Sequence, residues 1–199
     1  MSYAEMAANA PTMRTYSIEL PDHVLRFSLP EEIARQMPEY RISKRFDSED
    51  PAFKKDGFQN IAGWLHDFNG PFWIGAYGSL KFHFFVQHVR PDYPKKVRTQ
   101  DELDTYVHWW NRSLSKFNFI IEKAALNGMA CTRRSTTTAP PDAEHREIYS
   151  LRLSDELFLD VGFTIIEWKT GRTKSWKPKA EALREAIKQT IVLESRLSS

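Results

Sequence analysis

Hydrophobic and polar residues alternate with period two along most of the chain and with a helical period in a few places. Tyr16-Ser-Ile-Glu-Leu20 and Val24-Leu-Arg-Phe-Ser-Leu29 alternate on either side of the turn signal Pro21-Asp22, which predicts a β-hairpin. Ser28 and Glu31 have capping-box spacing, and Pro30 suits a first helical turn. They predict a short helix over 31–37, stopped by Pro38, with Ile33 and Met37 on its buried face. A strand is expected over 40–46, and 47–57 reads as a polar loop of mixed charge.

From 58 to 89 the chain is dense in aromatics and broken by Gly63, Asn69-Gly70-Pro71, Gly75 and Gly78, which predicts two or three strands. Over 80–89, Lys81, His83, Phe85, Gln87 and Val89 share one face, while Phe82, Phe84, Val86 and His88 share the other. Apolar groups on both faces predict a central strand covered on both sides.

The clearest helical period follows. Thr99-Gln-Asp-Glu102 is a capping box, and Asp101, Glu102 and Asp104 suit the positive end of a helix dipole. Leu103, Tyr106, Val107, Trp110, Leu114 and Phe117 form one stripe, with His108, Trp109 and Arg112 outside it. Strands are expected again over 119–123 and 128–138, around the hairpin turn Asn127-Gly128. A loop over 139–143 leads to strands over 146–153 and 158–168, around Ser154-Asp-Glu156. A further loop over 170–173 precedes a helix from Pro178 to Arg196, striped by Leu183, Ile187 and Ile191. This order predicts one α+β domain over 14–199 after a flexible leader over 1–13. Its antiparallel sheet of about six to eight strands would be flanked by a central and a C-terminal helix.

Charge and composition narrow the function classes. The 199 residues carry 28 basic and 26 acidic groups, a formal net charge of +2, spread without a basic arm or acidic tail. That balance argues against a general nucleic-acid binder, which needs clustered Lys and Arg. Cys131 is the sole cysteine, so no disulfide can form within the chain. The N-terminal stretch lacks a basic region followed by an apolar run, and no window approaches 18 apolar residues. The expectation is a cytoplasmic protein with no membrane span. Aromatics reach 13%, more than a minimal core requires.

Four short segments carry a family resemblance: Phe27-Ser-Leu-Pro-Glu31, Leu126-Asn-Gly-Met-Ala130, Tyr149-Ser-Leu-Arg-Leu153 and Ile191-Val-Leu-Glu-Ser195. In their order they resemble the PsbP-like fold, which includes photosystem accessory proteins, DcrB-type lipoproteins and chaperones of type VI secretion effectors. The layout is also similar to immunity proteins that neutralise bacterial toxins. The resemblance implies a non-enzymatic protein that binds a partner protein, and it carries no catalytic residue.

Signatures of chemistry are sparse. No Gly-x-Gly-x-x-Gly or Walker A pattern occurs, so no phosphate cradle or nucleotide cofactor is implied. The six histidines lack metal-ligand spacing; His83 and His88 are five apart and would face opposite sides of a strand. His66-Asp67 could be an acid–base pair, and with His83 or His108 it would make a dispersed hydrolase site. Cofactors and metals are therefore expected to be none. Aromatic and Arg side chains are the usual anchors of protein interfaces. The candidate partner-binding residues are Trp64, His66, Asp67, Trp73, Tyr77, Trp109, Arg112, Arg172 and Trp176. The expected function is an immunity protein, monomeric or homodimeric, that occludes a cognate secreted toxin; the alternatives are an effector chaperone or that hydrolase.

Overall fold

A computed structural model describes residues 12–36, 42–69, 76–113, 119–138, 143–168 and 176–196. The architecture is α+β, with two antiparallel sheets. Strands β1 (Met13–Leu20) and β2 (His23–Pro30) form the expected hairpin, and β9 (Val192–Ser195) pairs with the other edge of β2. The larger sheet contains β3 (Phe58–Asn69), β4 (Ala76–His88), β5 (Ile120–Leu126), β6 (Met129–Thr137), β7 (Ala143–Arg152) and β8 (Leu157–Glu167). Its order is β3-β4-β8-β7-β6-β5. Strand β8 is almost wholly buried, in keeping with its apolar run and its place between β4 and β7. Asn127 and Gly128 both adopt positive φ in the β5–β6 turn, the conformation that Asn-Gly favours.

Four helices complete the described residues: α1 (Glu31–Gln36), α2 (Pro51–Asp56), α3 (Gln100–Ser113) and α4 (Trp176–Lys188). The large sheet has an inner and an outer face. On the inner face, Phe82 and Phe84 of β4 and Val161 and Phe163 of β8 pack against Leu25, Phe27 and Leu29 of β2. Helix α4 completes this core with Ala180 and Ile187, and its Trp176 ring lies over Gly78. On the outer face, α3 covers β6 and β7 and packs Leu103, Tyr106 and Val107 against Phe158. Its capping box forms as expected: Glu102 N–H donates to Thr99 Oγ1 (3.2 Å) and Thr99 N–H to Glu102 Oε2 (3.0 Å).

Several sequence expectations need correction. Ser28 does not cap α1: it lies within β2, where its hydroxyl bonds Thr15 Oγ1 (2.9 Å). Within 42–46 there is no continuous strand, only the isolated bridges Ile42 to Ala62 and Glu19 to Arg45. The stretch read as a polar loop contains α2. Asp50 caps it by accepting from Ala52 N–H (2.8 Å) and Phe53 N–H (3.1 Å), and Gly57 ends it in the left-handed region. The last helix ends at Lys188, and the chain beyond forms β9 because β2 offers it a free edge. Strand β4 is sealed on its inner face only; along its outer face Lys81 is exposed and His83 and Phe85 are half-buried. The parts of the expected leader, helices and loops that fall in 1–11, 37–41, 114–118, 139–142 and 169–175 lie outside the described residues. Among the described residues, no helix is long and apolar enough to cross a membrane.

Candidate docking face

Helix α3 roofs only one end of the outer face. The other end, formed by β3, β4, β8 and part of β7, carries a trough. Antiparallel register defines its rows. Lys81 of β4, Thr164 of β8 and Arg146 of β7 form one row; His83, Gly162 and Ile148 form the next; Phe85, Asp160 and Ser150 the third. The central strand therefore presents small groups at Gly162 and Thr164, between long side chains on both neighbours. The result is a furrow over β8 at Thr164, which the His83 ring closes at Gly162. The His83 ring lies so close over Gly162 that a Cβ there would overlap it.

Three cavities share walls along this face. One of about 530 Å³ lies between β3 and β4, against Leu65 and Trp168. It shares Lys81, His83 and Phe85 with a central cavity of about 270 Å³. That one shares Gln87 and Trp110 with a third of about 630 Å³, walled by Phe53, Phe58 and Tyr106. Apolar groups stand open to solvent here: Phe58 is 45% exposed, Leu65 45% and Trp168 46%. Exposed large apolar side chains beside linked cavities are a feature of interaction sites.

The floor is electrostatically set. Arg134 and Asp160 form a buried ion pair (2.5 Å), each 3% exposed. Asp160 also accepts from Ser150 Oγ (2.5 Å) and from Gln87, and the Trp110 ring lies 4.9 Å from the Arg134 guanidinium carbon. His83 titrates low, pushed down to about 4 by burial and by the charges of Lys81, Arg146 and Arg134. Its Nδ1 is buried and has no hydrogen-bond partner among the described residues.

The residues singled out from sequence do not gather at this face. Trp64 stacks on Phe27 in the inner core and also lines the cavity beside Leu65, and Trp176 is buried against Gly78 and Phe68. His66 and Asp67 point to opposite faces of β3, so they are no acid–base pair. His66, lowered by burial, packs against Phe68 on the inner face. Asp67, on the outer face, accepts from Ser79 Oγ (2.5 Å), which in turn accepts from Trp168 Nε1 (2.6 Å). His108 is exposed on α3, and His83 lies four residues along β4 from Ser79, so the imagined His/Asp constellation does not converge. Trp109 packs on Tyr93 (5.0 Å between ring centroids) near Arg90, Arg112 is exposed on α3, and Tyr77 is half-buried. Trp73 and Arg172 lie outside the described residues.

Other candidate chemistry is absorbed by structure. Cys131 is buried, and burial and Asp104 push its thiol up to about 11, so it is not poised as a nucleophile. Glu147 is held below the usual carboxylate range: burial opposes this, but Arg133 and Arg184 outweigh it. Among the described residues, no group of three His, Cys, Asp or Glu could hold a metal ion. The face itself was missed because Leu65, Lys81, His83 and Phe85 look like ordinary strand residues. The available signal was the polar pair Lys81 and His83 on one face of an otherwise core-like strand.

Comparisons with known proteins add little. No family profile matches the chain, and neither does any curated protein. Among solved structures, LpqN of Mycobacterium tuberculosis, described as involved in cell envelope biogenesis, aligns over 98% of each chain with a TM-score of 0.46 and 6% identity. These comparisons lend no support to the PsbP-like or secretion-system resemblance, and at that score the structural likeness carries no functional argument.

Proposed function

We propose that this chain is a non-enzymatic protein-binding module whose partner docks on the unroofed end of the outer sheet face. One observation carries the reading: Phe58, Leu65 and Trp168 stand open along a trough whose floor is rigidly built. Large apolar side chains around a preformed concavity are what an interface core needs. The separation of His66 from Asp67 leaves that sequence candidate for catalysis without a mechanism. Within this class, the proposed role is that of a cytoplasmic immunity protein occluding a cognate bacterial toxin; that step rests on the sequence resemblance alone.

The test is capture from native lysate with wild type and with Leu65→Asp side by side. The reading expects one stoichiometric protein, retained at high salt by wild type and lost by the variant. Assaying that protein's activity with and without this chain then separates inhibition from chaperoning. Equal capture by both forms would remove the face from the account.

A further inference from the structure

The cavity at the α2 end of the outer face is built mainly of rings. Phe53 of α2, Phe58 of β3, His88 of β4, and Tyr106 and Trp110 of α3 wall a space of about 630 Å³, a size that suits a small organic molecule. Other rings hold these from behind. Phe53 packs on Phe46 (4.9 Å between centroids), Phe58 on Phe85 (5.8 Å) and Tyr106 on Tyr93 (5.0 Å). The concavity is therefore formed before anything enters it.

The charges around it are spent within the fold. Lys54 pairs with Glu49 (2.5 Å), and Arg90 donates to both oxygens of Asp92 (2.9 and 2.8 Å). Gln87 donates to Asp160, His88 Nδ1 bonds Val89 O (2.6 Å), and His88 Nε2 lies 3.8 Å from Glu156. Lys55 and Asp56 are exposed neighbours of opposite sign. The cavity thus has no net charge to offer an ion. One polar group is left over. Tyr106 is 1% exposed, and its hydroxyl oxygen accepts the Arg90 N–H (3.3 Å), but its own proton has no acceptor among the described residues. Burial raises the Tyr106 pKa, so that proton is in place at neutral pH. A buried tyrosine hydroxyl usually finds a partner for it.

We infer that this cavity is a binding site for a neutral, flat aromatic molecule that carries one hydrogen-bond acceptor, such as a carbonyl oxygen. The ring system lies among Phe53, Phe58 and Trp110, and the acceptor takes the Tyr106 proton. This activity goes beyond the docking reading and does not depend on it.

The experiment titrates the full chain with prodan, a fluorescent neutral naphthyl ketone. Prodan is then displaced with three molecules of one skeleton: acetylnaphthalene, which is neutral with an acceptor; ethylnaphthalene, which lacks the acceptor; and naphthoate, an anion. Prodan should bind saturably. Acetylnaphthalene should displace it about fivefold better than ethylnaphthalene, as one hydrogen bond allows, and better than naphthoate. Tyr106→Phe should abolish the preference for the ketone, Phe58→Asp should weaken acetylnaphthalene about tenfold, and Leu65→Asp should leave it unchanged. The carbonyl stretch of bound acetylnaphthalene should lie lower than in hexane, and Tyr106→Phe should remove that shift. No saturable binding, equal affinity for ketone and hydrocarbon, or tightest binding of naphthoate would overturn the inference. So would binding lost with Leu65→Asp but not with Phe58→Asp. An unshifted carbonyl stretch in wild type would overturn it whether or not Tyr106→Phe folds. The docking reading is tested by protein capture and stands or falls separately.

Discussion

The two ends of the outer sheet face use the same strands differently. Under α3, polar side chains are consumed by one another. Asp104 accepts from Thr132, and Gln100 reaches Ser150 O (3.2 Å) and takes the Arg152 N–H (3.0 Å). Beyond α3, Lys81 is unpaired among the described residues and Leu65 and Trp168 face solvent; buried atoms without a partner occur at both ends, His83 Nδ1 here and Asn111 Oδ1 on α3. The Arg134–Asp160 pair sits at the seam, beneath Trp110. Large apolar side chains are normally covered by the fold, so exposed Leu65 and Trp168 locate where the fold stops serving its own stability.

Substitutions should therefore separate by end. The largest effect belongs to the seam: Asp160→Ala strands the buried Arg134 charge and should cost about 3–5 kcal/mol in denaturant unfolding. A drop below about 1 kcal/mol would show that water already reaches the pair and that the two ends are not distinct.

Next is acid sensitivity. His83 is neutral in the fold down to about pH 4 but takes a proton in the unfolded chain near 6.5. Unfolded chains then bind more protons between those values, so stability falls as pH drops through that window. His83→Asn should reduce this fall by about 2 kcal/mol relative to wild type. Identical pH profiles for the two proteins would place the ring in water.

A smaller effect is expected at the furrow floor. Gly162→Ala forces the His83 ring off its seat, at a cost of about 1–2 kcal/mol, and the cost should shrink in a His83→Ala background. Additive losses in that double variant would mean that the two groups do not touch. Smallest of all, Leu65→Asp and Lys81→Glu should each change stability by less than about 0.5 kcal/mol, because both side chains are exposed. A loss of several kcal/mol at either would mean that the open end is structural after all.

Elements with complete local signals were legible in the sequence. The Thr99 to Glu102 capping box, the Asn127-Gly128 turn and the alternation on both sides of Pro21-Asp22 each named their structure. Others depended on distant partners. Nothing local distinguishes a fraying helix from β9, whose strand state follows from the edge of β2, some 170 residues earlier. Helix α2 was legible in principle, from Asp50-Pro51 and Gly57, but its charges disguised it. The docking face was the least legible. Its furrow exists because β8 brings Thr164 between Lys81 and Arg146, and a cross-strand row of that kind is not written in any single segment. Aromatic content pointed to an interface, yet Trp64 and Trp176 serve the core, while the less conspicuous Leu65 and Lys81 line the open end.

The most direct measurement places a photo-crosslinking amino acid at position 65, on the open face, or at position 192, exposed on β9 of the small sheet. Each form would be irradiated in the cells that naturally make this protein. The account predicts one discrete crosslinked partner protein from position 65 and none from 192. Crosslinking from 192 alone, or none from 65, would contradict it.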